Sequence, residues 1–267
     1  MSSGRNTQPI GVFDSGIGGI SVLGELIKKL PDENYIYLAD SANAPYGTKD
    51  RDCVRTISVN IAKGLINKGI KALVVACNTA TSVAINQIRQ SVDIPVIGME
   101  PALKPAVEAA IETGNKGYIV VMATPLTLKE DKFNSLYQKF NTEASILPLP
   151  CPGLVELIES EASPEKLCQH LAELFLNIPS SEVSSVVLGC THYCFVRTEI
   201  ARTLGDSVTI FDGNEGTVRH LQNTLVSNGI LSPRSDDRNE TAIEFIATSN
   251  PHEMEPLCRR FLDKTLL

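Results

Sequence analysis

Nine short apolar runs punctuate the chain: "IGVF" (10–13), "YIYLA" (35–39), "ALVVA" (72–76), "PVIG" (95–98), "GYIVVM" (117–122), "ASILPL" (144–149), "SVVLG" (185–189), "VTIF" (208–211) and "IEFIA" (243–247). They are continuous rather than alternating. That is the pattern of parallel strands covered on both faces. Amphipathic stretches lie between them. Val54, Ile57, Ile61 and Leu65 recur at spacings of 3, 4 and 4 and predict one buried helical face, with Asp50 and Asp52 placed to suit its N-terminus. Strand and helix alternate almost throughout, which predicts a doubly wound α/β fold. No low-complexity segment or solenoid period interrupts the pattern.

Two of the runs end in the same way. "VVACNTATS" (74–82) and "VVLGCTHYC" (186–194) each close on a cysteine followed by small polar residues, and Cys77 and Cys190 lie 113 positions apart. A similar offset of 109 relates "GVFDSG" (11–16) to "VVMATP" (120–125). The pairing points to a faint duplication: two similar α/β halves related by a pseudo-twofold. Ligands of parallel sheets bind at the carboxyl ends of the strands. Asp14, Ser15, Cys77, Thr124 and Cys190 would then converge on one cleft.

Composition narrows the partners. The 267 residues carry a net charge of -7, which argues against a nucleic-acid backbone or an anionic membrane, since both need a basic face. No stretch approaches the ~18 apolar residues of a membrane span. The N-terminal "MSSGRNTQPIGVFD" has no apolar signal core, so a cytoplasmic location is expected. Seven widely spread cysteines, an odd number, read as free thiols rather than a disulfide framework.

The motifs decide which thiols matter. "FDSGIGG" (13–19) lacks the third glycine of a dinucleotide loop, and no Walker lysine follows. Its glycines suit a tight strand-to-helix turn that exposes Asp14 and Ser15, either of which also suits a helix cap. Cys77 and Cys190 each follow a strand and precede a helical pattern, where the dipole favours a thiolate. An ordinary cysteine titrates near ~8.5, so a base is wanted nearby: His192 for Cys190, Asp14 for Cys77. Cys53, Cys168 and Cys258 sit on helical patterns and are expected to be small buried hydrophobes, with Cys194 packed inside one helical turn beyond Cys190. C-x-H-x-C at 190–194 has no zinc spacing, so no metal is expected, and the C-x-x-C of a thiol–disulfide oxidoreductase is absent. "APYG" (44–47) is a turn whose N–H groups, with Tyr46, suit a carboxylate.

Taken together, "DSGIGG", "PYG" followed by "TK", "ACNTATS", "TPLT", "CPGLVELIE" and "LGCTHY" run in this order over nearly the whole chain. In this the sequence resembles the glutamate racemases, within the wider aspartate/glutamate racemase superfamily. The resemblance implies two α/β domains, about 1–98 plus 210–267 and 99–209, with the active site between them. It implies no cofactor or metal and a homodimer. Cys77 and Cys190 match the two proton donor/acceptors, Asp14 and His192 their polar assistants, and Glu159 a further one. Asp14, Ser15, Tyr46, Gly47, Asn78, Thr79, Thr191 and His192 match substrate-contacting positions, and Thr124 and Thr127 a carboxylate-binding threonine motif. The implied reaction interconverts L- and D-glutamate for peptidoglycan; a related racemase of aspartate or another acidic amino acid is the alternative, and a binding protein that keeps the fold is a third reading. The chemistry suits paired thiols, because inverting an α-carbon means removing a proton from one face and adding one to the other. The chain departs from many members at Glu130 and Phe133, and after about residue 230 it carries no family motif.

Overall fold

The computed structural model describes residues 6–205, 207–233 and 241–266. Residues 1–5 of the N-terminal stretch read above lie outside them. The chain divides into two compact units, one from residues 1–99 and 214–267, the other from residues 100–213.

The first unit is a five-stranded sheet of β1 (Ile10–Asp14), β2 (Tyr35–Ala39), β3 (Ala72–Val75), β4 (Val96–Gly98) and β9 (Ile243–Ala247), ordered β4-β3-β1-β2-β9. The second is a four-stranded sheet of β5 (Tyr118–Ala123), β6 (Ile146–Pro150), β7 (Val183–Gly189) and β8 (Thr209–Asp212), ordered β6-β5-β7-β8. Every pairing is parallel. All nine apolar runs are strands, and β1, β2 and β3 are buried at every position. The continuous apolar pattern therefore has its cause in burial on both faces.

The two sheets share one winding. In the first unit β2 lies on one side of β1, and β3 then β4 on the other. In the second, β6 lies on one side of β5, and β7 then β8 on the other. Strand β9 is an addition to the first sheet alone, paired to β2 from Tyr35↔Ile243 to Ala39↔Ala247. The duplication read from two sequence offsets is thus present as repeated topology. In such sheets the connection reverses direction beside the first strand, and a crevice opens there at the carboxyl ends. These switch points fall between β1 and β3 and between β5 and β7.

Three local expectations change. The helix Arg51–Asn67 is capped as foreseen, with the Asp50 carboxylate accepting from the N–H groups of Asp52 and Cys53, but its buried face is Val54, Ser58, Ala62 and Leu65. Ile57 and Ile61 are half-buried. The apolar spacing of 3, 4 and 4 lies one step around the helix from the face that packs, because small Ser58 and Ala62 allow close approach. Cys53 is exposed in the first turn of that helix and Cys168 half-exposed; only Cys258 of those three is buried. The expected domain crossing at 209/210 falls inside β8, which pairs with β7 from Ser185↔Thr209 to Leu188↔Asp212, so the second unit runs on to Gly213.

The first unit also encloses an ion pair. Lys71 Nζ lies 2.5 Å from Glu33 Oε2, and both side chains are buried. Lys71 also donates to Asn6 O (2.6 Å) and Ser232 Oγ (3.1 Å), while the Ser232 N–H and hydroxyl donate to the two Glu33 oxygens. Among the described residues no helix is long and apolar enough to cross a membrane.

Candidate active site

In the first unit the switch point holds Asp14 at the end of β1 and Cys77 after β3. Asp14 is fully buried, and one carboxylate oxygen accepts the Gly16 N–H at 2.9 Å, turning the chain out of the strand. Gly19 is required here. A Cβ at that position would come within 2.7 Å of the Asp14 Cβ and 3.0 Å of the Ala76 Cβ, so the glycine lets the helix Ile20–Lys29 start against both strand ends. Cys77 is the N-cap of the helix Asn78–Gln90, and its sulfur accepts the Ala80 N–H at 3.4 Å. The Cys77 thiol points at Ser15 Oγ, 3.7 Å away. Asn78 and Thr79 follow on the first turn, both buried, and the Asn78 amide nitrogen has no hydrogen-bond partner among the described residues. A buried donor without a partner is costly and points to a ligand group.

Tyr46 and Gly47 lie in the short 3-10 turn Tyr46–Thr48, after a cis Ala44–Pro45 bond. Both are buried, and the Tyr46 hydroxyl donates to Asp40 Oδ2 at 2.5 Å. Burial holds this phenol far above its usual range, and the hydrogen bond and charge of Asp40 raise it further. Tyr46 therefore stays protonated and committed to Asp40. What the turn can offer a carboxylate is its backbone N–H groups, which at the start of a helical turn have no internal partner.

In the second unit the switch point holds Thr124 after β5 and Cys190 after β7. Gly189 sits where a Cβ would meet the Ala123 Cβ at 2.9 Å, so β7 closes tightly on β5 before Cys190 emerges. Thr124 caps the helix Pro125–Lys129, accepting the Thr127 N–H at 3.3 Å, and the two hydroxyls lie 2.9 Å apart. Cys190 differs from Cys77 in its surroundings. It is followed by a 3-10 segment, Thr191–Val196, and its side chain accepts no capping bond. Cys194 lies in that segment, half-buried rather than inside an α-helix. The Cys190 sulfur has His192 instead, with Sγ···Nδ1 at 3.8 Å, and His192 Nε2 reaches Glu159 Oε1 at 2.8 Å. Burial works against a charged His192 ring, but hydrogen bonds to Cys190 and Glu159, and the charges of both, raise its pKa well above the usual value. The charged ring donates from both nitrogens. It can therefore hold a proton at Nδ1 beside the Cys190 sulfur.

Sequence reasoning missed three residues. Asp40 lies in no motif, yet its carboxylate anchors Tyr46. Cys151 opens "CPGLVELIE"; it is buried, donates to Leu149 O at 3.4 Å, and has its pKa pushed up by burial and then by the nearby Cys190 charge. Tyr193 donates to Cys151 O at 3.3 Å. The departures Glu130 and Phe133 are both buried, at 4% exposure each. Among the described residues no group of three or more His, Cys, Asp or Glu side chains is placed to hold a metal ion.

These features have counterparts in known proteins. The family model of Asp/Glu/Hydantoin racemases matches residues 15–221. A glutamate racemase of Clostridium novyi is 47% identical over 256 residues, covering 95% of this chain and 96% of its own. One from Bifidobacterium adolescentis is 45% identical over 261 residues, covering 97% and 99%. Among solved structures, a glutamate racemase of Francisella tularensis in complex with D-glutamate superposes with a TM-score of 0.80 at 29% identity, covering 97% of this chain and 94% of that one. A glutamate racemase isoform of Bacillus anthracis gives 0.82 at 30% identity, covering 97% and 95%. With two sheets of one winding, a thiol at each switch point and these likenesses over almost its full length, the chain belongs to the Asp/Glu/Hydantoin racemase family, and within it to the glutamate racemases.

Proposed function

We propose that the protein interconverts L- and D-glutamate without a cofactor, using Cys77 and Cys190 as two bases, and so supplies D-glutamate for peptidoglycan. The observation that supports the mechanism is the repeated winding, with one cysteine in each unit within two residues of the carboxyl end of the strand beside the switch point. One sulfur takes the α-proton from one face of the substrate carbon, and the other delivers a proton to the opposite face. After each turnover their protonation states are exchanged. His192 steadies the proton at Cys190, with Glu159 holding the ring. At Cys77 the Ala80 N–H and Ser15 surround the sulfur, and Asp14 stands at the adjacent strand end. Carbanion character at the α-carbon is stabilised by preorganised donors. Asn78, Thr79 and Thr191, and the threonine pair Thr124 and Thr127, are of the right kind. The location follows the family, as a cytoplasmic homodimer.

The test is a panel of L-amino acids in buffer containing EDTA and no added cofactor, followed by chiral analysis. Glutamate is expected to racemise, and aspartate to turn over about 10- to 200-fold less efficiently, the range that one methylene commands. Equal turnover of aspartate would place the protein with the acidic-amino-acid alternative instead.

A second expectation concerns His192. Because its pKa is raised, the charged ring stabilises the fold fully below the ordinary value of 6.5, and this contribution is lost as pH rises through the raised value. Glu159→Gln removes one of the causes, so the NMR titration midpoint of His192 should fall. The alkaline limb of the turnover–pH profile should move down with it. An unchanged midpoint would show that Glu159 does not hold the proton there.

A further inference from the structure

We infer that Asp40 and Thr248 are positioning residues for the loop that carries Tyr46 and Gly47, so that the segment after β9 sets how tightly substrate is held. The inference rests on the reading of that loop as a substrate contact. Asp40 follows β2, is 1% exposed, and ties its own N–H to Asp14 O at 2.9 Å. A carboxylate buried this deeply is tolerated only when it is hydrogen-bonded. Its oxygens accept from Tyr46 Oη (2.5 Å), Thr248 Oγ1 (2.7 Å) and Asn43 Nδ2 (3.1 Å). Two of these donors belong to the loop and the third lies beyond β9.

Thr248 works in both directions. Its N–H donates to Ala39 O at 3.2 Å, continuing the β2–β9 ladder, and its hydroxyl accepts the Ala42 N–H at 3.0 Å. Next to it, Ser41 Oγ donates to Ser249 O (2.9 Å) and accepts the Ser249 N–H (3.1 Å). The loop is therefore gripped at Ser41, Ala42, Asn43 and Tyr46, each time by Asp40 or by residues 248–249. Asp40 Oδ1 takes Thr248 and Asn43 and Oδ2 takes the Tyr46 hydroxyl, so the two side chains are held by each other and by the loop. Their work is to fix where the N–H groups of the Tyr46–Thr48 turn point. A binding group misplaced by about 1 Å is enough to weaken a site strongly.

The test is made on the full-length chain with Thr248→Val and Thr248→Ser. Valine keeps the shape of threonine but cannot donate to Asp40; serine can. Thr248→Val should raise KM for both glutamate enantiomers about tenfold, the scale of one hydrogen bond to a charged group, with kcat changed less than about twofold. Thr248→Ser should keep the parent KM. Hydrogen exchange should quicken at amides 41–48 in Thr248→Val while β1, β2 and β3 stay protected. An unchanged KM, or an equal rise in both variants, would overturn the inference. If Thr248→Val loses protection throughout the first unit, Ser41→Ala decides: it breaks only the bonds between Ser41 and Ser249, and a KM that does not rise overturns the inference. Gly47→Pro separates this failure from failure of the underlying reading, because it removes a loop N–H directly. A raised KM there, with none in Thr248→Val, leaves the loop as a substrate contact and refutes its positioning by Thr248. An unchanged KM in Gly47→Pro refutes both.

Discussion

Cys77→Ala and Cys190→Ala should each cut racemisation by about 10³-fold or more, since loss of a general acid–base group costs on this scale and, on the proposed mechanism, each thiol serves its own face of the substrate carbon. Each cysteine closes the same topological position in its unit, yet their supports differ. Cys77 caps an α-helix, whereas Cys190 stands beside His192, whose ring is hydrogen-bonded to Glu159. Alanine at Cys53, Cys168 or Cys258 should leave turnover intact, with only Cys258, which is buried, affecting stability. Isotope provides the sharper readout. With L-glutamate in D₂O, stopped early, the new D-glutamate should carry deuterium at Cα while the recovered L-glutamate keeps hydrogen. The reverse run should mirror this. On the proposed mechanism Cys190 would take the proton of the L-enantiomer and Cys77 that of the D-enantiomer. Rapid deuteration of recovered substrate in both directions would mean one base serving both faces, and would refute the two-thiol mechanism.

Lys71→Met should destabilise the first unit by about 3–5 kcal/mol, because it leaves the Glu33 carboxylate buried without its cation. The melting midpoint should fall by roughly 10 °C for a unit of this size. The pair Lys71→Met with Glu33→Leu should recover much of the loss, since a well-packed apolar replacement often matches a buried ion pair. Recovery should remain incomplete, because the Ser232 N–H loses its acceptor on Glu33. Calorimetry of the three variants checks the order. Equal midpoints for the parent and Lys71→Met would show that the pair contributes nothing net.

What could be read from the sequence followed the reach of the interactions. The nine strands announced themselves because parallel strands buried on both faces leave unbroken apolar runs. The thiols and Asp14 stood out because each directly follows such a run. Periodicity misplaces the helical face at 51–67 because it weighs large apolar residues, whereas packing there selects Ser58 and Ala62. The 3-10 turn after Cys190 carries no pattern that separates it from an α-helix over six residues. Asp40 with Thr248, and Glu33 with Lys71 and Ser232, were illegible for another reason. Each joins polar side chains from distant parts of the chain, 208 positions apart for Asp40 and Thr248 and 199 for Glu33 and Ser232. Only the winding of the sheet makes them neighbours.

The first unit is assembled from both ends of the chain, while the second is one continuous piece. During synthesis this sets an order. Residues 100–213 leave the ribosome with every strand of their sheet present and can close at once. Residues 1–99 must wait through the making of that whole piece, on the order of ten seconds at ordinary elongation rates. Until the tail emerges, β2 has a bare edge, Lys71 and Glu33 lack Ser232, and the loop around Tyr46 lacks the grip of Thr248. A nascent chain stalled after residue 233 would thus carry both cysteines and most of both sheets, with the loop around Tyr46 still unfastened. Residues 243–249, made after both cysteines, are the ones that close the sheet edge and fasten that loop.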